Sequence, residues 1–334
     1  MQMIREEASF DTSVVIPVYF NEESIERVVV NLRCAWEESG RPLADLDIVL
    51  VDDSSGDNSW EKLVKLREDF PDQVTALRLT HNHGSQLAIL AGSSLARGRR
   101  ITMIAADGQE PSDLVPRMVD ANDTGSRVVL AVRKSRDDTL RTRTGASFFY
   151  HLIRFLGLKN MPRSGFDAFL VDRDVLEMML EMRDPNLPLS VTIAWLGFPY
   201  AEVAYERLAR NQGRSRWTLR KKMKLAIDAI TSVSYVPLRA ISLLGIVVAL
   251  LGFLYAIIVI IYRLLGHEEH RGWASILVVT LALGGTQLLA LGVLGEYLWR
   301  TLEVSRRRPL WRIAEVKHPK HRKEQQILES IADE

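Results

Sequence analysis

"LDIVLVDDSSGDNSWEKLVKLREDF", residues 46–70, sets the fold of the chain. An apolar run, 46–51, ends in the paired acids Asp52 and Asp53 and a Ser-Ser-Gly turn. A helical pattern follows over 58–70 and is stopped by Pro71. A strand covered on both faces reads as a near-continuous Val/Ile/Leu run, so this is a strand–turn–helix unit of an α/β protein.

The unit recurs on both sides. "SVVIPV" (13–18) is a predicted strand, and the helix after it, 23–38, carries Ile25, Val28, Val29, Leu32 and Trp36 at helical spacing. "VTALRL" (74–79) precedes a helix over 85–96, and "ITMIAA" (101–106) and "RVVLAV" (127–132) complete the series. Strands alternating with helices predict a Rossmann-like, mainly parallel sheet. Ligands of such sheets bind at the carboxyl ends of the strands, so residues just past each strand are the functional candidates.

Composition narrows the class. The 334 residues carry a net charge of +1, which does not point to a nucleic-acid partner. The single cysteine, Cys34, forms no intramolecular disulfide, as in a reducing cytosol. The N-terminus, "MQMIREEASFDT", has no apolar core of a signal peptide.

Past residue 237 the chain changes character. Residues 241–262 and 273–295 are free of charge, and each is long enough to cross a hydrocarbon core of ~30 Å. Basic stretches, "RSRWTLRKKMK" (214–224) and "RTLEVSRRRPLWR" (300–312), flank the pair, while the loop 263–272 is nearly balanced. The positive-inside rule then places both termini in the cytoplasm. Residues 217–233 put Leu219, Met223, Ile227, Ile230 and Val233 on one face, as in a helix lying on an anionic leaflet. Residues 147–158 form a second apolar cluster, suited to the interface or to core packing. Glu296, past the second span, needs a partner, either Arg300 one turn on or a neighbouring subunit. The expected organisation is a catalytic domain over 1–213, a juxtamembrane amphipathic helix over 214–236, a two-helix transmembrane hairpin over 237–299 (spans about 241–262 and 273–296) and a basic tail over 300–334.

The strand ends carry the chemistry. The first runs into "PVYFNEE" (17–23), the second into "DDSSGDNS" (52–59), the fourth into "ADGQEP" (106–111). Asp and Ser are common turn formers and caps, so each motif alone is weak. Together they gather carboxylates on neighbouring strand ends, where ribose hydroxyls and a base N–H can be held. Neither GxGxxG nor GxxxxGK[ST] follows the first strand, which argues against a dinucleotide-binding dehydrogenase and a P-loop NTPase.

The ordered set "VVIPVYFNEES", "DIVLVDDSSGDNS", "NHGSQLAILAG", "ADGQEP", "GFDAFLVDRDV", "RNQGRSRW" and "GVLGEYLWRTLEVSRRRP" resembles family 2 glycosyltransferases, from about Ser13 to Pro309. The similarity is to the branch that moves a sugar from a nucleotide to a polyisoprenyl phosphate, including dolichol-phosphate mannose synthases and bactoprenol-phosphate glucosyltransferases. It implies a GT-A catalytic domain, a nucleotide-sugar donor with UDP favoured, an undecaprenyl phosphate-like acceptor, and inverting transfer at the cytoplasmic face of the inner membrane for cell-envelope glycan modification. It also implies a homo-oligomer, with a tetramer favoured.

The resemblance assigns residues as well. Pro17, Tyr19 and Glu22 lie beside the nucleotide; Asp53 contacts the base with Asp52 in support. Asp107 and Gln109 hold a divalent cation, Mg²⁺ or Mn²⁺. Arg133 and Arg136 meet phosphate, Asp167 lies near the reacting centre, and Arg210, Ser215 and Arg216 form a phosphate-closing loop with Gly213. Three positions depart from the pattern. The family's D-x-D-x-Q-[DH]-P reads Ala105-Ala106-Asp107-Gly108-Gln109-Glu110-Pro111, Phe169 stands where arginine is common, and "HNHGSQ" (81–86) replaces Arg-Asn-x-Gly. A cation site can survive the loss at Ala105, because Mg²⁺ keeps waters and takes substrate oxygens, but the loss is expected to weaken metal binding or change how the ribose and sugar are held.

Two other readings stand beside this one. A processive polysaccharide synthase calls for a QxxRW signature and more spans, and Trp217 in "RSRW" lacks the glutamine. A non-catalytic membrane scaffold or sensor finds support in Ala105 alone, against Asp53, Asp107, Gln109, Asp167 and the Arg210 loop.

Overall fold

The structure, a computed structural model, describes residues 10–134, 162, 165–182, 184, 187–208, 236–265, 273–306 and 308–319. It has two compact units, residues 1–226 with 309–334, and residues 227–308.

The first unit is a sheet of eight strands: β1 (Phe10–Val18), β2 (Leu46–Asp52), β3 (Val74–Leu79), β4 (Gly98–Met103), β5 (Val128–Arg133), β6 (Ala168–Asp172), β7 (Tyr200–Tyr205) and β8 (Ile313–Lys317). Their order is β7-β5-β6-β4-β1-β2-β3-β8. The helices are α1 (Ile25–Glu38), α2 (Ser59–Asp69), α3 (Ser85–Ser93), α4 (Leu114–Asp123), α5 (Arg173–Glu181) and α6 (Leu189–Leu196). Side chains alternate across the sheet. Val14, Ile16, Ile48 and Leu50 pack with Trp36, Leu63 and Met118 of α1, α2 and α4. Val15, Val49 and Val51 face the other way, into a cluster with Ala88, Leu176 and Ile193 of α3, α5 and α6. Central strands buried on both faces explain why β1 to β3 read as unbroken apolar runs.

The sheet is mixed and mostly parallel. β1 pairs in parallel with β2 and β4, β2 with β3, and β5 with β7. β6 lies antiparallel between β4 and β5, and β8 lies antiparallel along β3. Three features differ from the sequence reading. A strand the sequence reading does not include, β6 in "DAFLVD", inserts between β4 and β5. β4 ends at Met103, so Ile104–Ala106 already belong to the loop that carries Asp107. The segment assigned to a basic tail contributes β8, which covers the edge of β3. No local pattern reveals that pairing, because its partner is more than 200 residues away in the chain.

The directions decide where the site forms. β1, β2, β4, β5 and β7 run one way, so Tyr19, Asp53, Asp107, Arg133 and Arg207 leave the same sheet edge. β6 runs the opposite way, so Asp167, which precedes it, starts from that edge too.

The second unit contains α7 (Val236–Leu264) and α8 (Trp273–Ser305), which contact each other. α7 has 29 residues, about 44 Å at 1.5 Å per residue. Among the described residues one helical stretch, Leu238–Tyr255, is long and apolar enough to cross a membrane. The second charge-free run lies within α8. Glu296 pairs with Arg300 one turn on, at 3.2 Å. The expected helix over 217–233 and the apolar cluster over 147–158 lie outside the described residues.

Candidate active site

The loops at the sheet edge are stitched together by hydrogen bonds. The Asp53 N–H donates to Val18 O at 2.9 Å, joining the ends of β2 and β1. Phe20 N–H donates to Ser55 Oγ (3.0 Å), Asn21 N–H to Ser59 Oγ (3.1 Å) and Asn58 N–H to Glu22 Oε2 (2.9 Å). Phe20 and Ser54 have positive φ, 56° and 60°. Side-chain-bearing residues there are strained and persist only when their surroundings fix them. Glu22 thus ties two loops together, while Tyr19 is exposed at the edge and packs edge-on against Phe20. Pro17 pairs with Val51, beyond the last residue β1 shares with β4, so its missing N–H costs little there.

Asp52 and Asp53 point to different partners. Asp52 is fully buried; it accepts the Ser55 N–H at 2.9 Å and lies 3.1 Å from Arg78 Nε. Asp53 accepts His83 N–H at 2.7 Å and Gly84 N–H at 2.9 Å, one on each oxygen. Gly84 has φ +90°, which lets the chain turn its amide onto the acid. Burial raises the pKa of both acids, against the opposing hydrogen bonds. Asp53 therefore holds the loop that opens α3, and any contact to a base is additional to that. His81 and His83 stack with ring centroids 3.8 Å apart. His83 accepts the Arg312 N–H at 3.4 Å, from the segment that leads into β8. Burial, then the charge of His81, lowers the His83 pKa.

The acidic loop faces the exit of β7. Gln109 N–H donates to Asp107 Oδ1 at 3.2 Å. Leu208 N–H donates to Gln109 O (2.9 Å), and Gln109 Nε2 donates to Leu208 O (3.3 Å). Arg207 hydrogen-bonds Gln109 Oε1 and lies 3.7 Å from Asp107 Oδ2. Glu110 Oε2 accepts the Ala105 N–H at 3.3 Å. Burial, then the nearby Asp107 charge, raises the Glu110 pKa to about 7, while Arg207 opposes.

A second cluster adjoins it. Arg133 places Nε and Nη2 on the two Asp167 oxygens, the latter bond 2.8 Å, and Tyr205 Oη donates to Asp167 Oδ2 at 2.9 Å. Burial, then the Asp167 charge, raises the Tyr205 pKa, and the Glu110 charge adds to this. Tyr205 thus feels both clusters. The Arg133 pKa is raised: burial lowers it, but Asp167 and Tyr205 outweigh burial. The guanidinium expected to meet phosphate is, in this structure, engaged by Asp167.

Asp107, Gln109, Asp167 and Arg133 are therefore brought to one edge with Tyr19, Asp52 and Asp53. Arg136, Arg210, Ser215 and Arg216 lie outside the described residues. Three residues at the site, Glu110, Tyr205 and Arg207, escape the sequence reading. Recognising β7 in "YAEVAY" (200–205) would have flagged Tyr205 and Arg207 as strand-end residues.

A family model described as Glycosyl transferase family 2 matches residues 13–180, which run from within β1 through β6 and include the loops bearing Asp53, Asp107 and Asp167. The chain belongs to glycosyl transferase family 2. It is a glycosyltransferase with a GT-A-like α/β fold. Its relatives are similar over nearly their whole length. The chain is 33% identical to the uncharacterized glycosyltransferase YkcC of Bacillus subtilis (strain 168), over 90% of this chain and 92% of that one. It is 33% identical to the prophage bactoprenol glucosyl transferase homolog of Escherichia coli (strain K12), over 91% and 99%. It is 32% identical to the undecaprenyl-phosphate 4-deoxy-4-formamido-L-arabinose transferase of Edwardsiella ictaluri (strain 93-146), over 91% and 93%. Among solved structures, a mannosyltransferase from Pyrobaculum calidifontis in complex with GDP-Man and Mn²⁺ is 18% identical with a TM-score of 0.46, over 88% of this chain and 89% of that one.

Proposed function

We propose that this glycosyltransferase moves a sugar from a nucleotide-sugar, a UDP-sugar by preference, to a polyprenyl phosphate of the undecaprenyl type, with inversion, at the cytoplasmic face of the membrane. The observation that carries the reading is the Asp107–Gln109–Arg207 cluster set beside Asp167–Arg133–Tyr205, in a chain that also bears an apolar helix. The names of the full-length relatives support the acceptor class.

A lipid phosphate is already anionic, so it needs no strong base to attack the anomeric carbon. The work left to the protein is positioning and charge. Asp167 accepts from Arg133 and Tyr205 and is held as a fixed negative charge beside the reacting centre. Arg207 is a positive charge for the donor diphosphate, carried at the exit of β7. Tyr19, Glu22, Asp52 and Asp53 shape the nucleotide end of the cleft, with Arg210, Ser215 and Arg216 assigned to the acceptor phosphate and Arg136 to phosphate.

Asp107 and Gln109 would hold a divalent cation. Among the described residues no group of three or more His, Cys, Asp or Glu makes a metal cage. The hard oxygens of Asp107 and Gln109 fit an ion that shares its shell with water and diphosphate instead. Such an ion, when bound, supplies charge neutralisation of the leaving diphosphate.

The chain leaves its catalytic unit before residue 227 and rejoins that unit through β8 after residue 309. A segment with both ends in one unit crosses a bilayer an even number of times. This supports two spans, within α7 and α8, and the basic stretches that flank them favour a cytoplasmic catalytic unit. The reading includes assembly as a homo-oligomer.

The test is transfer of label from a panel of UDP- and GDP-sugars to undecaprenyl phosphate by the full chain in detergent. Label in a lipid-soluble, acid-labile product supports the reading. Nucleotide binding without transfer from any donor would overturn it in favour of a scaffold.

A further inference from the structure

The acidic loop has alanine where the family pattern has its first acid, and another side chain turns back to that place. Gly108 has φ +66°, and a Cβ there would come within 3.3 Å of Val28 Cγ2, so this turn belongs to glycine. The turn reverses the chain and brings Glu110 over Ala105, whose N–H it accepts at 3.3 Å. Its carboxylate is close enough to Asp107 for the two charges to oppose each other.

Arg207 shows where these groups point. Its guanidinium bonds Gln109 Oε1, lies 3.7 Å from Asp107 Oδ2 and acts on Glu110. Asp107 Oδ2 and Gln109 Oε1 therefore face one positive charge, with the Glu110 carboxylate on the neighbouring backbone N–H of Ala105 and within reach of the same field. Hard oxygen donors gathered in this way suit Mg²⁺ or Mn²⁺.

We propose that Glu110 supplies the second carboxylate of the cation site, in place of the acid absent at Ala105. The inference rests on the reading that Asp107 holds a divalent cation. Glu110 is otherwise a loop staple, and the two roles separate cleanly. Glutamine at 110 keeps an oxygen to accept the Ala105 N–H and keeps the volume, but loses the charge.

The experiment measures Mn²⁺ binding by the full-length protein in detergent, with UDP or GDP present, from the free-ion electron paramagnetic resonance signal. Glu110→Gln is expected to weaken Mn²⁺ binding by about tenfold or more while thermal stability is kept. Adding Ala105→Asp to Glu110→Gln is expected to recover most of the loss. Mn²⁺ binding by Glu110→Gln equal to that of the parent, or failure of Ala105→Asp to restore it, would overturn the proposal. Asp107→Ala distinguishes the two levels. If Asp107→Ala loses the ion and Glu110→Gln does not, only the role of Glu110 falls. If the parent binds no Mn²⁺, or Asp107→Ala binds it unchanged, the cation reading falls as well.

Discussion

Arg133 at the end of β5 places two donors on the carboxylate of Asp167 at the entry of β6, and the adjacent strand adds the Tyr205 hydroxyl. The two strands are antiparallel neighbours, so the acid and its arginine are fixed by sheet register rather than by a loop. A planar fork on a carboxylate sets orientation as well as charge.

Arg133 is accordingly expected to act through Asp167. Arg133→Lys keeps the charge and loses the fork. Turnover should fall about 10²-fold with a small change in the donor KM, as expected for misplacement at a reacting centre. Asp167→Asn should fall at least as far. Steady-state rates on saturating donor and lipid check both, and a change confined to KM would count against the arrangement.

The clamp of Asp53 on His83 and Gly84 predicts a structural and a binding effect together. Asp53→Ala leaves the half-buried N–H groups of His83 and Gly84 without their acceptor, a cost of about 0.5–1.5 kcal/mol for each hydrogen bond lost. Denaturation in urea should show that loss, and titration calorimetry should show weaker nucleotide binding. Asp53→Asn should fall between, because its amide offers one acceptor and turns a donor toward an N–H.

Glu110 gives a pH dependence of defined sign. Its carboxyl rises from 4.5 to about 7 in the folded chain, so between these values the folded state holds a proton that the unfolded state has lost. Stability from this group is full below about pH 4.5 and falls as pH rises towards 7. In EDTA, the parent should lose stability across this window relative to Glu110→Gln. Urea midpoints measured every half pH unit check the difference.

β8 predicts an effect from beyond the second helix. Removing residues 309–334 uncovers the edge of β3 and deletes the Arg312 N–H that donates to His83. The shortened chain should melt lower and bind nucleotide less tightly, since His83 belongs to the turn that Asp53 grips. Binding and melting equal to those of the full chain would show that β8 only shields an edge.

The sequence reveals the parallel half of the sheet because its strands are buried on both faces. "VVIPV" and "IVLV" carry the signal of their environment in their own letters. β7 has exposed residues at alternate positions, and β8 is an edge strand paired with a distant segment, so neither stands out locally. The site divides in the same way. Asp53, Asp107 and Asp167 follow or precede apolar runs in recognisable motifs. Glu110 and Arg207 matter because of where two loops meet, and Arg207 lies 98 residues from the Gln109 it contacts. Contacts of that range are set by topology, which single-sequence periodicity does not encode.

The central claim is a single in-line displacement by a lipid phosphate oxygen at the anomeric carbon. The direct measurement is the anomeric configuration of the lipid-linked product made from an α-linked nucleotide-sugar, read by proton and phosphorus nuclear magnetic resonance. A β-linked polyprenyl phosphosugar is the expected result. An α-linked product, or free sugar with no lipid conjugate, would contradict the account.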